Sequence, residues 1–225
     1  MLADFHSHTN YSYCGRDNPE DLVQAMIGHG VDVLGISDHN YGIGNRTEEY
    51  LKEIATLKET YKDQITLYCG IELCTLPGLQ LQDRSGPARF DYCLVENLDH
   101  PDSIMHGDIL EYTKDFHIPV IIAHTDLFAF IKNKGLDPLP YLKALKAHNI
   151  LFELNVSYDS VHQYREHEYV KEFFRNENQQ QLVKESGLQL SVGFDGHRME
   201  DYRADKVRFA CEFLEKNGIP FLKSI

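Results

Sequence analysis

Apolar and polar positions alternate regularly along the chain, and this pattern predicts strands and helices in turn. The predicted strands are LADFHSHT (2–9), VDVLGISDHN (31–40), ITLYCGIELC (65–74), FDYCLVENL (90–98), IPVIIAHTD (118–126), ILFELNVS (150–157), LQLSVGFDGH (188–197) and a short last strand in IPFLKSI (219–225). Strands that alternate with amphipathic helices are typical of a parallel sheet.

Amphipathic segments between these strands predict the helices. Asn18 and Pro19 mark the first helix start, because asparagine is a good cap and proline suits the first helical position. Helical spacing covers 22–30, 47–64, 108–117, 141–149, 168–187 and 204–218, whereas 76–89 is an irregular loop that could act as a lid. Roughly seven βα units without a linker predict an α/β fold in one domain (1–225). A closed or distorted (β/α)7 barrel is the first choice, and a doubly wound open sheet is the alternative.

Composition and charge narrow the class of protein. Hydrophobic residues are 42% of the 225 residues, and no apolar run approaches the ~20 residues that span a bilayer. The start of the chain lacks a basic segment and an apolar signal core, and the five cysteines have no framework spacing. We therefore expect reduced thiols and a cytoplasmic protein without a membrane partner. The net charge of −13 argues against a nucleic-acid partner.

Side chains that can bind metal ions fall at the C-terminal ends of the predicted strands. Alternation along the first strand places His6 and His8 on one face, where two adjacent imidazoles are best explained as ligands of a metal. In α/β barrels this edge carries the active site. The residues found there are His6, His8, Asp38, His39, Glu72, His100, His124, Asp195 and His197.

These ligands are too numerous for a single metal ion. One tetrahedral site takes four ligands, and imidazoles with carboxylates suit zinc, manganese or iron. Two or three divalent ions that share a carboxylate fit the count, and Glu72 is the best bridge because its two oxygens can each bind an ion. Clusters of this kind hydrolyse esters, especially phosphoesters.

Five motifs in order along the chain resemble the PHP superfamily, the polymerase and histidinol phosphatase group of metal-dependent phosphoesterases. They are DFHSHT, GISDHN, CGIEL, IIAHTD and GFDGH, which together run from Asp4 to His197. The resemblance implies that family's distorted (β/α)7 barrel, a trinuclear site and a metal-activated hydroxide. It does not specify the substrate.

The resemblance also implies a ligand set for each ion. The first ion would take His6, His8, Glu72 and Asp195, and the second would share Glu72 and add His100 and His124. The third would take His39, His197 and a residue from the loop after His8. Related sequences often have a histidine or an aspartate in that loop, and this chain has Cys14 at the comparable spacing. Either Cys14 binds as a thiolate, or the third site is weak or empty.

Other polar residues near these motifs are candidates for supporting roles. Asp38 is expected to orient a ligand by a hydrogen bond, and with Glu72, Asp195 and Arg16 it makes up the expected catalytic group. Arg16 and Arg198 are candidates to bind the phosphate, and Arg46, Arg84 and Arg89 are weaker ones. His162 or His167 could protonate the leaving alkoxide, and Cys74 shares a strand face with Glu72.

The function expected from these features is hydrolysis of a small organic phosphomonoester, as in histidinol phosphatases. The alternatives are a nuclease or phosphodiesterase of the same superfamily, a C–N amidohydrolase, and a non-catalytic metal-dependent domain. Amidohydrolase barrels also begin with a His-x-His strand, but they typically use a lysine as the bridge where this chain offers Glu72. The expected partner is a small phosphorylated substrate.

Overall fold

The strands form a single parallel sheet that curls into a barrel. The computed structural model describes residues 1–80 and 86–225. Within them seven strands are hydrogen-bonded in sequence order, which are β1 Ala3–Asp4, β2 Val33–Ile36, β3 Thr66–Leu73, β4 Tyr92–Val95, β5 Val120–Ile122, β6 Ile150–Asn155 and β7 Leu190–Gly193.

The first and last strands meet and nearly close the barrel just beyond the end of β1. The Phe5 amide donates to the Val192 carbonyl at 2.9 Å, and the Asp195 amide donates to the His6 carbonyl at 2.7 Å. Ser7 and Gly196 form a parallel bridge next to these bonds. The distorted (β/α)7 barrel is therefore confirmed, and the open doubly wound sheet was the wrong alternative because its outer strands would not pair.

Helices cover the outside of the barrel between the strands. The described helices are α1 Pro19–Gly28, α2 Asn40–Ile43, α3 Thr47–Tyr61, α4 Ile109–Tyr112, α5 Leu127–Asn133, α6 Pro138–Ala147, α7 Glu168–Arg175, α8 Glu177–Ser186 and α9 Ala204–Lys216. The start of α1 follows the sequence signal, since the Asn18 side chain accepts from the Asp21 amide and Pro19 is the first helical residue. No helix in the described ranges is long and apolar enough to cross a membrane.

Four segments differ from the sequence-based expectation. The predicted long helix 168–187 is two helices, because Asn176 leaves the helical conformation and its side chain caps α8 by accepting from the Gln179 amide. Helix α5 was not predicted, and α4 is much shorter than the predicted helix 108–117. The C-terminal segment makes only a single bridge between Phe221 and Leu190 instead of a strand.

The barrel interior is filled by side chains below the polar end. Its apolar cluster includes Phe5, Leu94 and Leu151 together with Tyr92, whose hydroxyl donates to the Phe5 carbonyl at 2.7 Å. A β-carbon at Gly35 would lie 2.1 Å from that hydroxyl, so the glycine in β2 makes room for the Tyr92 ring. The polar residues at the strand ends lie directly above this packed apolar layer.

Candidate metal centre

The polar cluster is built from inward-facing positions at the C-terminal ends of the strands. Glu72 continues the inward row of β3, Glu96 follows β4 in register with Tyr92 and Leu94, and Glu153 follows Leu151 in β6. Because side chains in a strand alternate between faces, these carboxylates share the lumen with the loop ligands that follow β1, β2, β5 and β7. The result is a buried acidic and imidazole-rich site.

His6 and His8 are the centre of the site. Their Nε2 atoms are 3.2 Å apart, and they lie 3.4 and 3.3 Å from Glu72 Oε2. The same two nitrogens lie 3.5 and 3.2 Å from Asp195 Oδ1. Four buried donor atoms therefore converge as the first predicted ligand set requires.

Glu153 fixes the form of His6 that a metal would need. Its Oε1 lies 2.7 Å from His6 Nδ1, and both side chains are fully buried. A carboxylate bonded to one ring nitrogen holds the proton there and leaves a lone pair on the other, which orients and strengthens a ligand. A β-carbon at Gly193 would lie 2.1 Å from Glu153 Oε1 and 2.6 Å from His6 Cβ, so this contact needs glycine in β7.

Glu72 also reaches a second group of ligands with its other oxygen. Glu72 Oε1 lies 3.0 Å from His124 Nε2, and Glu96 Oε2 lies 3.9 Å from the same nitrogen. One ligand atom from each of these three residues lies within 4.8 Å of the others. The His124 backbone has a φ of 25°, a strained conformation that is typical of functional positions.

The structure does not bring His100 into this second group. Its side chain is 43% exposed, and its Nδ1 accepts from the Asp102 amide at 3.2 Å. It lines a separate cavity with His106 and Lys134 that shares no residue with the metal-ligand groups. Because Asn97 has a φ of 66°, the chain turns away after β4 and leaves Glu96 at the site in the place expected of His100.

A third group forms around Cys14. The thiol and one nitrogen each of His8 and His197 lie within 4.8 Å of one another, and Cys14 is partly exposed. His39 adjoins this group, with Nδ1 at 2.9 Å from Glu72 Oε2. Asp159 Oδ2 lies 3.0 Å from His197 Nδ1 and holds that ring as Glu153 holds His6. The structure thus places Cys14 close to His39 and His197, the residues that the family resemblance implies for the third ion.

The carboxylates and imidazoles at this site strongly shift one another's pKa values. Burial raises the pKa of Glu72, but the charges of His39 and His6 outweigh it and hold the pKa well below the usual value. Burial opposes protonation of His39, but Glu72 raises its pKa to about 11. Burial lowers the pKa of His8 to about 3, so its ring stays neutral at physiological pH. Since metals bind deprotonated ligands, protons and metal ions compete for this site.

The pKa of the Cys14 thiol is also shifted from its usual value. Burial raises its pKa, but hydrogen bonds with His197 and His39 outweigh that effect and lower the pKa to about 7. The other four cysteines are buried and unpaired, and burial raises the pKa of Cys93 and holds it in the thiol form. Cys14 is therefore the cysteine whose surroundings favour the thiolate that metals bind.

A metal ion explains two polar atoms that otherwise lack partners. Glu72 Oε2 and His39 Nδ1 are buried and only 2.9 Å apart, yet within the described part of the chain neither makes a hydrogen bond of acceptable geometry. Buried polar atoms without a partner are costly, and a cation between converging lone pairs satisfies them. The donor set of imidazoles, carboxylates and one thiol fits zinc, iron or manganese.

Asp38 lies behind the site and supports the loop that holds His8. Its carboxylate accepts from the amides and the hydroxyls of both Thr9 and Ser12, at 2.6–3.0 Å. The Ser12 hydroxyl in turn accepts from the His39 amide at 2.9 Å and lies 3.4 Å from His8 Nδ1. Asp38 is therefore connected to His8 and His39 through the Ser12 hydroxyl, a position from which it could orient these ligands.

The arginine candidates separate into two groups. Arg16 and Arg198 line one cavity of about 360 Å3 beside His197, and the Arg16 amide donates to the His197 carbonyl. Arg46 instead donates to the Tyr11 carbonyl, and Arg89 pairs with Glu48 on the surface. Arg84 lies outside the described residues. The buried Cys74 thiol donates to the Asn97 side chain.

His162 lies at the edge of the cluster between two carboxylates. Its Nδ1 is 2.7 Å from Asp159 Oδ1, and its Nε2 is 3.1 Å from Asp195 Oδ2. Burial lowers its pKa, but these carboxylates outweigh burial and raise the pKa to about 9. His167 lies farther out, with its ring 6.0 Å from the His162 ring.

Sequence reasoning missed three residues of the site, namely Glu96, Glu153 and Asp159. A signal existed for the first two, because each continues the period-two inward row of its own strand. Asp159 follows β6 in a loop, and nothing in its local sequence distinguishes it from a surface aspartate.

Comparison with known proteins agrees with this architecture. The sequence model of the PHP domain matches residues 4–216. Histidinol phosphate phosphatase (HisK) from Lactococcus lactis subsp. lactis Il1403, in complex with zinc, L-histidinol and phosphate, superposes with a TM-score of 0.65 at 18% identity, over 98% of this chain and 95% of that one.

A second solved structure, the putative histidinol phosphatase HisK from Listeria monocytogenes, has a TM-score of 0.54 at 15% identity, over 88% of this chain and 96% of that one. At these identities the likeness concerns the fold. Comparison with curated proteins gives no significant match. Since the family match covers nearly the whole chain, this protein belongs to the PHP domain family.

Proposed function

We propose that this protein is a metal-dependent phosphomonoesterase that acts on a small organic phosphate, of the kind that histidinol phosphatases hydrolyse. The observation that supports it most is the convergence of four histidines on the two oxygens of the buried Glu72 carboxylate. A carboxylate that is shared in this way is the expected bridge of a multinuclear hydrolytic centre. The HisK structure that holds zinc, L-histidinol and phosphate supports the substrate class.

We assign the ligands of two ions from the distances. The first ion would be held by His6, His8, Glu72 and Asp195, and the second by Glu72, Glu96 and His124. Glu153 keeps the Nε2 lone pair of His6 available through its contact with Nδ1. His100 is not assigned as a ligand of either ion.

The third ion is assigned to Cys14, His39 and His197. A thiolate is a softer ligand than the histidine or aspartate that related sequences often have in this loop. We therefore expect this position to favour zinc over manganese. Asp159 would keep the His197 ring in the orientation that binding needs.

The metal ions and the residues around them would have different roles in hydrolysis. The metal ions would neutralise the phosphate oxygens and lower the pKa of the attacking water. Arg16 and Arg198 bind the outward phosphate oxygens from their common cavity. His162, held by Asp159, donates the proton that the leaving alkoxide needs.

The charge of the chain favours a small substrate over a polyanion. The net charge is −13, and a nuclease would need a basic groove to follow a phosphate backbone. All five cysteines are unpaired, which supports our proposal that the enzyme works in the cytoplasm.

The proposed function is tested by metal analysis and turnover on one sample. We expect close to three metal ions per chain, turnover of 4-nitrophenyl phosphate, and much slower turnover of bis(4-nitrophenyl) phosphate. Cys14→Ser should lower the metal content by about one ion, because a serine hydroxyl is a poor ligand compared with a thiolate. The buried Cys93→Ser, whose thiol belongs to none of the ligand groups among the described residues, is the matched control and should keep the metal content.

Each part of the proposal has its own contradicting result. If the protein binds metal but hydrolyses the diester faster than the monoester, the proposed phosphomonoesterase would be wrong and a phosphodiesterase would be indicated. Absence of bound metal that zinc and manganese do not restore would overturn the centre itself. Unchanged metal content in Cys14→Ser would remove Cys14 from the ligand set.

The assigned role of His162 predicts an effect that depends on the leaving group. His162→Gln should lower kcat for glycerol phosphate about 100-fold, because general acid catalysis of alkoxide departure is lost. The kcat for 4-nitrophenyl phosphate should change less than about threefold, since 4-nitrophenolate leaves without a proton. The exposed His117→Gln is the control. Equal losses with both substrates would show that His162 positions ligands and does not act as an acid.

A further inference from the structure

The loop that follows β6 brings His162 to the edge of the metal centre. Asp159 Oδ1 accepts from the His162 amide at 2.8 Å and lies 2.7 Å from Nδ1 of the same residue. The other ring nitrogen, Nε2, lies 3.1 Å from Oδ2 of the proposed ligand Asp195. The place of this ring at the metal centre therefore depends on the shape of the loop 159–165.

This loop has an unfavourable backbone conformation. Gln163 and Tyr164 have φ angles of 55° and 54°, which lie in the left-handed region that residues with a β-carbon rarely adopt. Apolar packing gives the loop little support, because Val161 is 45% exposed and Tyr164 is 51% exposed. A conformation of this kind persists only where the surrounding structure holds it.

Both oxygens of the Asp201 carboxylate contact the loop. Oδ2 accepts from the Ser160 amide at 3.2 Å and from the Ser160 hydroxyl at 2.5 Å, and Oδ1 accepts from the Tyr164 hydroxyl at 3.1 Å. Hydrogen bonds to a charged carboxylate are stronger than those between neutral groups. The bond from the Ser160 hydroxyl outweighs burial and lowers the pKa of Asp201, so this carboxylate is ionised at neutral pH. The contacts lie on either side of His162 in the chain.

Asp201 lies on a segment that is itself anchored beside the metal centre. It is the last residue of the short 3-10 helix Met199–Asp201, which follows His197 closely. The Met199 amide donates to Asp17 Oδ2 at 2.7 Å and fixes the start of this helix. Among the described residues Asp201 belongs to none of the metal-ligand groups. Its contacts therefore point to a role in holding the loop.

We propose that Asp201 is a positioning residue, which holds the loop 159–165 in the conformation that keeps His162 within reach of the leaving oxygen of the substrate. The inference rests on the proposed function and adds to it a residue that the candidate site did not contain. Asp201 touches neither the substrate nor the ions. It acts through Ser160 and Tyr164, and these in turn act on His162 through the backbone of the loop.

Loss of these hydrogen bonds predicts an effect that depends on the leaving group. Asp201→Ala should lower kcat for glycerol phosphate about tenfold, because His162 is then less often in place to protonate the alkoxide. The kcat for 4-nitrophenyl phosphate should change less than about twofold, since its leaving group needs no proton. Metal content should stay the same. Ser160→Ala, which removes one partner of the carboxylate, should give the same pattern and provides the test if Asp201→Ala does not fold.

A double substitution shows whether Asp201 acts through His162. In a His162→Gln background, Asp201→Ala should lower kcat for glycerol phosphate by less than about twofold, because the group that it positions is already absent. Losses that multiply instead would mean that Asp201 affects the reaction by another route, and the inference would be wrong.

Limited proteolysis of the metal-loaded protein measures the loop without any turnover. Arg165 is exposed at the end of the loop, and trypsin cleaves after arginine. The rate of this cut should rise about tenfold in Asp201→Ala, because a loop that has lost these hydrogen bonds opens more often. Asp63→Ala, which removes an exposed aspartate from the turn after α3, is the control and should change neither the cleavage rate nor kcat.

The outcomes separate this inference from the proposed function. Unchanged cleavage after Arg165 in Asp201→Ala, or equal losses of kcat with the two substrates, would overturn the role of Asp201 alone. Absence of hydrolysis of both substrates by the unaltered, metal-loaded protein would overturn the proposed function and the positioning role with it.

Discussion

Glu72→Gln is expected to lower kcat for 4-nitrophenyl phosphate about 1,000-fold or more, because the bridging charge of the centre is lost. Its two oxygens lie 2.9–3.4 Å from nitrogens of His6, His8, His39 and His124. An amide of the same shape keeps one oxygen and replaces the other by a donor that repels a cation. Metal content should fall together with kcat.

The fold of this variant should stay intact. Glu72 is buried, and the amide fills the same volume, so the far-ultraviolet circular dichroism spectrum should match that of the unaltered protein. The exposed Glu59→Gln on α3 removes one charge without touching the site and is the control. Turnover near the unaltered value with full metal content in Glu72→Gln would exclude the assigned bridge.

Glu96→Gln is expected to be far more damaging than His100→Gln. The first change should remove about one metal ion per chain and lower kcat about 100-fold, as for the loss of a ligand from one of several ions. The second should leave both values within about twofold, because an exposed loop histidine contributes little. The reason is position, since Glu96 Oε2 lies 3.9 Å from His124 Nε2 and His100 faces a different cavity.

The same two measurements decide this comparison. Metal per chain and turnover of 4-nitrophenyl phosphate are determined for both variants side by side. If His100→Gln loses metal and Glu96→Gln does not, the loop after β4 must bend inward when metals bind. The sequence-based ligand set would then be right and the assignment from the structure wrong.

Glu96 and His100 show that a motif predicts the position of a strand residue better than the position of a loop residue. The family resemblance implies a histidine after β4, whereas the period-two pattern of Tyr92, Leu94 and Glu96, which the sequence analysis did not use, indicates the carboxylate. The pattern agrees with the observed geometry because a strand fixes the direction of its side chains, whereas a loop residue is free to turn. The positive φ of Asn97 makes that turn.

In the predicted helix 168–187, by contrast, the periodic pattern of the sequence led to a wrong prediction. Helical periodicity is strong on both sides of Asn176, so the sequence alone indicates one continuous helix. The structure breaks it there, and α8 packs against α6, whereas Phe174 of α7 packs against Phe213 of α9. Local propensity does not decide such a break, because the packing of each half against different neighbours outweighs it.

The barrel and the chemistry of its rim follow from the order and spacing of residues along the chain. Seven apolar strands in alternation with helices require a parallel sheet, and His6, His8, Glu72 and Asp195 fall at strand ends that such a barrel brings together. These features depend on period and order along the chain, which local sequence encodes directly. The closeness of these four side chains therefore followed from the fold class.

The residues that complete the site are identified by contacts between distant parts of the chain. Glu153 meets His6 across 147 residues, and it does so because Gly193 leaves room between them. Asp159 meets His197 in the same way from a loop without any local signal. Such contacts join distant segments, and their geometry is set by packing in three dimensions, which no stretch of sequence specifies alone.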